Sequence, residues 1–272
     1  MKVYDCITYF DEDLLLDVRL NELNNYVEKF IIIESKYTHS GKIKKQNFNF
    51  NNFYKFKKKI EYIYLENDTQ NIQLINENDT EAQKNSKLIL NGMARDFHQR
   101  NYIKNVLNNI KVNNEDYIII SDLDEIPNLN NFQFLENKSK IIIFKQKNFY
   151  YKFNLYIDNY TWFGSRACKF KDLDSPQWLR NIKAKNYSVW RFDTLFSNNK
   201  YQDVRLVENG GWHFSYLKTA EDIERKLLSY AHHREYDLNP LGKSKISYLI
   251  INKIPIYDLK TDMKKNKFSS SQ

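Results

Sequence analysis

Apolar positions recur along the first half of the chain with two alternating periods. "DCITYF" at 5–10 reads as a strand. In "DEDLLLDVRLNELNNYV", which follows it, Leu16, Leu20, Leu23 and Val27 fall at i, i+4, i+7 and i+11. That is one face of a helix, which Asp11 or Asp13 can cap. "FIIIES" (Phe30–Ser35) predicts a buried strand, "YTHSGKIK" its following loop, and "KIEYIYLE" at 59–66 a third strand. A strand, a helix and a second short apolar strand favour a parallel sheet. The polar stretch 67–85 carries no period and reads as a mobile loop. From Met93 to Ile110 a second helix is predicted, with Ile103, Val106, Leu107 and Ile110 on one face, and it delivers the chain into "DYIIIS". Alternation of this kind predicts a doubly wound α/β sheet.

After Pro127 the pattern changes. "KIIIFKQKNFYYKFNLY" predicts two strands close together, whereas 160–215 is rich in Trp, Tyr, Phe, Arg and Gly with little helical period. A last amphipathic helix lies in "TAEDIERKLLSYAHH", with Ile223, Leu227, Leu228 and Ala231 on one face and Thr219 three residues before Asp222 as a capping pair. The expected organisation is one domain with two halves, 1–127 for a ligand and 128–258 for added strands and loops, then a basic, mobile tail at 259–272.

Composition adds limits. With 272 residues, 42% of them hydrophobic, the chain can bury a large core and is not disordered. Cys6 and Cys168 are too few for a disulfide framework and lack metal-ligand spacing, so a reducing compartment is expected. The N-terminal stretch meets Asp5 before any apolar run long enough for a signal peptide. No window is long enough to cross a bilayer, and a cytoplasmic protein, at most peripheral to a membrane, is expected. A formal net charge of +8 suits an anionic ligand, but the runs "KFKKK" and "KKNK" lie apart and read as solvated faces. The tail carrying the second run could touch an acidic membrane.

The chemistry concentrates in "YIIISDLDEIP" at 117–127, where an apolar strand runs into Asp122, Asp124 and Glu125. Carboxylates crowded at the end of a buried strand repel one another unless a cation holds them. Asp122 and Asp124 sit two apart where the strand ends, so both can face the crevice beyond it with Leu123 turned inward. Hard ions such as Mg²⁺ and Mn²⁺ take such oxygen ligands and keep positions open for phosphates. A dehalogenase-like phosphatase also places two aspartates after a buried strand. Its pattern wants Thr or Val where Ile126 stands, and it comes early in its chains, not late.

The ordered set "DCITYFDEDLLLDVRLNEL", "FIIIESKYTHSGK", "HQRNYI", "YIIISDLDEIP", "WFGSRACKFKDL", "GGWHFSY" and "KLLSYAHHREY" resembles the family 17 glycosyltransferases, relatives of the β-1,4-mannosyl-glycoprotein N-acetylglucosaminyltransferase, over roughly residues 4–240. The resemblance implies a GT-A-like fold, a UDP-linked sugar donor such as UDP-N-acetylglucosamine, Mn²⁺ or Mg²⁺ on the two aspartates, and inversion at the anomeric carbon. Asp124 would be the more direct metal ligand, with Asp122 reaching the ribose or the ion through water. Where the family pattern often has Glu, this chain has Asp96.

Around that frame, His213 in "GGWHFSY" is a candidate third metal ligand and Trp212 a candidate sugar platform. Glu34 is a candidate for the nucleoside, and Lys42 and Arg100 for the base or diphosphate. An inverting transfer needs a carboxylate base on the acceptor side. Asp172 is favoured, with Asp174, Glu125, Asp193 and Glu208 as alternatives. Animal members of the family carry a membrane anchor not found here, so the expected acceptor is a surface glycan, lipo-oligosaccharide or lipid-linked glycan. Two other classes are compatible with the composition: a carbohydrate- or nucleic-acid-binding module that does not need the aspartates, and a metal-dependent phosphate hydrolase.

Overall fold

The computed structural model of the chain describes residues 1–130, 132–185, 191, 197–200, 203–230, 233–256 and 268–270. Strands β1 (Val3–Tyr9), β2 (Lys29–Ser35), β3 (Ile60–Leu65) and β4 (Tyr117–Asp122) are parallel in the order β3-β2-β1-β4. Their side chains divide by the two-residue period of a strand. Ile7, Phe30, Ile32 and Ile119 pack with Leu16 and Leu20 of helix α1 (Asp13–Leu23) on one face. Cys6, Ile31, Ile33, Ile118 and Ile120 pack with Ile103 and Leu107 of helix α2 (Glu81–Asn109) on the other. With both faces covered, nearly every residue of β1, β2 and β4 is buried, which is why these strands read as unbroken apolar runs.

The chain then adds β5 (Glu125–Pro127), β6 (Ile141–Tyr150), β7 (Leu155–Lys169), helix α3 (Pro176–Asn181), β8 (Val204–Val207) and β9 (Gly211–Ser215). Three helices follow, α4 (Ala220–Leu227), α5 (His233–Leu238) and α6 (Gly242–Ile251), and then β10 (Phe268–Ser270). Strand β7 runs antiparallel to β4, so the sheet continues across residue 127 as β4-β7-β6-β9-β5, with β8 on β6 and β10 on β7. The result is a mixed α/β fold built on one large sheet flanked by helices. Tyr150, Leu155 and Ile157 form a third apolar cluster with Ile223 and Leu227 of α4 and Ile246 of α6.

Three local expectations need correction. The polar stretch 67–85 is not all loop, because α2 starts at Glu81, twelve residues before the expected start at Met93. A capping box fixes that start: Thr80 Oγ1 accepts from the Gln83 amide at 3.3 Å, and Gln83 Oε1 accepts from the Thr80 amide at 2.8 Å. Neither Asp11 nor Asp13 caps α1. Glu12 holds that position without a side-chain bond, while Asp11 pairs with Lys218 and Arg225, and Asp13 with Tyr9 and Asn52. Residues 160–215 do contain a helix, α3, whose start is set by Ser175 Oγ accepting from the Trp178 amide at 3.1 Å and by Pro176 in its first turn.

Thr219 caps α4 as expected. Asp193, Ala231 and the tail from 257, apart from β10, lie outside the described residues. Cys6 and Cys168 are both buried and free. Among the described residues no helix is long and apolar enough to cross a membrane.

Candidate active site

The strand order reverses direction between β1 and β4, and Thr8 of β1 stands opposite Asp122 of β4 at their carboxyl ends. Open α/β sheets bind ligands in the crevice at such a switch point. Here it holds a cavity of about 280 Å³. The loop after β1 contributes Phe10 and Glu12, the loop after β2 Tyr37, His39 and Lys44, helix α2 Asp96 and Arg100, the end of β4 Asp122 and the turn after it Asp124. Lys226 of α4, with Ser229 and Tyr230 after it, closes one side.

Buried arginines set the shape of the 122–125 turn. Arg19 lies on the apolar face of α1 with no exposed surface and makes two bonds to the equally buried Asp5, at 2.6 and 2.7 Å. Its remaining nitrogen donates to the Glu125 carbonyl at 2.5 Å and lies 3.4 Å from those of Asp122 and Leu123. Three carbonyls at the end of β4 are therefore gathered on one guanidinium. From the other side comes Arg180 of α3, which grips both oxygens of Glu125 at 2.6 and 2.8 Å, the Asp122 carboxylate at 2.9 Å and the Gly164 carbonyl at 2.9 Å.

Glu125, a candidate base in the sequence, is fully enclosed by these contacts. Its Oε1 also accepts from Trp162 Nε1 at 2.8 Å, and its Oε2 from the Asp122 amide at 3.1 Å. With every lone pair directed at a donor, it anchors the turn.

The two aspartates separate in character. Asp122 is clamped between Arg100 at 3.0 Å and Arg180 at 2.9 Å. Burial disfavours its ionised form, yet the two guanidinium groups outweigh burial and hold its carboxyl well below the usual range. An ion seeking Asp122 directly would have to compete with both. Among the described residues Asp124 has no arginine partner: burial raises its pKa, against the opposing pull of Lys226 and His213. Its Oδ1 lies 3.8 Å from His213 Nε2 and its Oδ2 lies 3.5 Å from Lys226 Nζ.

His213 reaches this position through a short ladder in which β5 pairs Glu125 with His213, and the Phe214 amide donates to the Asp124 carbonyl at 2.8 Å. That ladder requires Gly211. Its φ is +126°, and a Cβ there would sit 2.1 Å from the Ile126 carbonyl oxygen. The imidazole is stacked on Trp162, with centroids 4.3 Å apart and planes 11° from parallel. Its Nδ1 is 2.9 Å from Asn148 Oδ1. With Nδ1 donating to that oxygen, Nε2 is the ring nitrogen left to face Asp124.

Two donors each about 2.1 Å from one ion can be at most about 4.2 Å apart, so Asp124 and His213 fit a shared divalent cation. Among the described residues no group of three His, Cys, Asp or Glu forms a complete metal cage. The remaining positions would fall to water and ligand phosphate, as they commonly do for Mg²⁺ at phosphate sites.

Several other sequence candidates stand elsewhere. Glu34 is buried beneath the cavity and spends both oxygens on Lys44, Tyr62 and the amides of Asn47 and Phe48. The exposed Lys42 does not line the cavity, and Lys44, two residues on, does. Trp212 packs against the apolar core beside Ile126, and the aromatic partner of His213 is Trp162. Asp172 sits at the opposite end of β4, where the Phe170 and Lys171 amides donate to the Asp116 and Asn114 carbonyls. Strand β4 puts about 17 Å between that end and Asp122. Asp174 is exposed and does not line the cavity; its carbonyl caps Lys104. Glu208 pairs with Lys145 on the surface.

Arg100, by contrast, lines the cavity, bound to Asp96, Gln177 and Asp122. Arg180, Trp162, Asn148 and Lys226 were not singled out by sequence patterns, since each acts through a contact with a distant part of the chain. Arg19 did carry a signal: it falls among Leu16, Leu20 and Leu23 on an apolar face, where a lone charge needs a partner such as Asp5.

Comparison with curated protein sequences returns no match. The family model for glycosyltransferase family 17 matches residues 1–263, nearly the whole chain. With that match and a cavity lined by an Asp-Leu-Asp turn at the switch point of its sheet, the chain belongs to glycosyltransferase family 17 and is a glycosyltransferase.

Proposed function

We propose that this glycosyltransferase takes its sugar from a nucleoside diphosphate donor, UDP-linked and carrying N-acetylglucosamine or a related hexose, in a metal-dependent inverting transfer to a glycan or lipid-linked glycan. The strand order β3-β2-β1-β4, with the Asp-Leu-Asp turn at the reversal, supports a GT-A arrangement. The observation that carries the reading is the pairing of His213 with Asp124, which lines the switch-point cavity together with Arg100, Lys44 and Lys226. Cations in this number suit a diphosphate. Bound there, Mn²⁺ or Mg²⁺ would supply Lewis-acid neutralisation of the leaving diphosphate. The imidazole in the donor set favours Mn²⁺, the softer of the two.

The protein's own residues supply orientation. Arg19 and Arg180 fix the turn so that Asp124 faces the cavity, and Asn148 selects the His213 tautomer that leaves Nε2 to face Asp124. Asp122, pinned by two arginines, is placed to accept a ribose hydroxyl bond and not to hold the ion. The acceptor is a surface glycan or glycolipid, and the enzyme works at or near a cytoplasmic membrane face.

Calorimetric titration with UDP-N-acetylglucosamine and other nucleotide sugars, with and without Mn²⁺, tests the reading on wild type and Asp124→Ala. Binding that requires both the ion and Asp124 is expected. Equal binding by the variant, or none to any member of the panel, would overturn it.

A further inference from the structure

Lys226 belongs to the cavity wall, yet its partners lie inside the cavity and not on its own helix. Its ammonium is 3.2 Å from Glu12 Oε1 and 3.5 Å from Asp124 Oδ2, so it bridges the loop after β1 and the turn after β4. Glu12 has a second cation, Lys218, at 3.7 Å. Asp124 has no other lysine or arginine among the described residues; its remaining neighbour is the His213 ring at 3.8 Å. The position a divalent ion would take beside Asp124 is thus already served by an internal cation.

We propose that Lys226 is the resident counter-ion of Asp124, that it competes with the divalent cation for this carboxylate, and that once displaced it serves as a ligand to the donor diphosphate. The inference rests on the donor reading above. Two positive groups cannot both neutralise one aspartate at full strength, so charge on Lys226 must weaken binding of the ion alone. A diphosphate brings negative charge into the same space and reverses the sign. It binds better when the ion holds Asp124 and the ammonium is free to turn toward phosphate, with Glu12 keeping it within the cavity. Through Lys226 the ion and the nucleotide become coupled, each favouring the other.

The variants Lys226→Gln and Lys226→Arg separate these effects, with Mn²⁺ alone and UDP as probes on the full chain. Lys226→Gln should bind Mn²⁺ about tenfold more tightly than wild type without nucleotide, measured by electron paramagnetic resonance of the free ion. It should bind UDP about tenfold more weakly in saturating Mn²⁺, by calorimetry. Lys226→Arg, which keeps the charge, should stay near wild type in both. A purely structural lysine would move the two affinities in the same direction, and that result overturns the inference, as does an unchanged pair. Wild type that binds Mn²⁺ and UDP while Lys226→Gln matches it sinks the Lys226 role and leaves the donor site standing. Wild type that binds neither removes the donor reading and this inference with it.

Discussion

His213 presents Nε2 to Asp124 Oδ1 at 3.8 Å because its other nitrogen is tied to Asn148 at 2.9 Å. The ring is thereby fixed in both rotation and tautomer, and Asn148 becomes a positioning residue for the proposed ion. Asn148→Ala should lower Mn²⁺ affinity by about 10- to 100-fold, the usual effect of losing such an outer partner. Asn148→Asp retains an oxygen acceptor and should recover most of the loss. Titration of Mn²⁺ into both variants tests this, and equal affinity in Asn148→Ala would mean that His213 does not face the ion.

Arg180 is the counter-ion of two buried or half-buried carboxylates, Glu125 and Asp122. Removing one partner of a buried pair leaves an uncompensated charge and costs about 3–5 kcal/mol. Arg180→Met should therefore unfold at clearly lower urea concentration than wild type. The double variant Arg180→Met with Glu125→Gln should regain part of the difference, because the stranded charge is gone. If the single variant keeps the wild-type midpoint, the clamp does not stabilise the turn.

The Asp5–Arg19 pair separates stability from function. Neither side chain has exposed surface, so Asp5→Asn should destabilise the protein by about 3–5 kcal/mol. Replacing both, as Asp5→Leu with Arg19→Met, should restore much of the stability. Donor binding should stay impaired in that double variant, since the carbonyls of Asp122, Leu123 and Glu125 have lost their common donor. Urea unfolding alongside calorimetry distinguishes the two effects.

Much of the fold's first half was legible because burial on both faces imprints itself on a strand. "FIIIES" and "DYIIIS" could hardly lie elsewhere than in a covered parallel sheet. The Asp-Leu-Asp turn was legible for the same reason, as charge abruptly ending an apolar run. The surroundings of Glu34 and Glu125 were not legible, because a carboxylate at a strand end reads alike whether it faces a ligand or is locked among amides and arginines. The position of Asp172 was not legible, because the direction of β7, antiparallel to β4, decides which end of the sheet its following loop reaches. Nothing local in "KFKDLDSPQWLR" encodes that direction, and it is the return of the chain through α3 that brings Arg180 to the site.

Glu12 gives the site a defined response to acid. Burial alone would raise its pKa, but Lys226 and Lys218 reverse that and bring it from 4.5 down to about 2. The folded value lies below the unfolded one, so the stabilisation is fully present above about pH 4.5 and is lost as pH falls toward 2. A shift of this size corresponds to about 3 kcal/mol. Glu12→Gln keeps the shape and removes the titration. It should be less stable than wild type at neutral pH, and the two proteins should converge as the medium is acidified through that window. Urea midpoints at pH 7, 4.5 and 3 would measure the gap. A gap that stays constant over this range would mean that the two lysines do not hold Glu12 ionised, and that Lys226 is bound in the cavity by Asp124 alone.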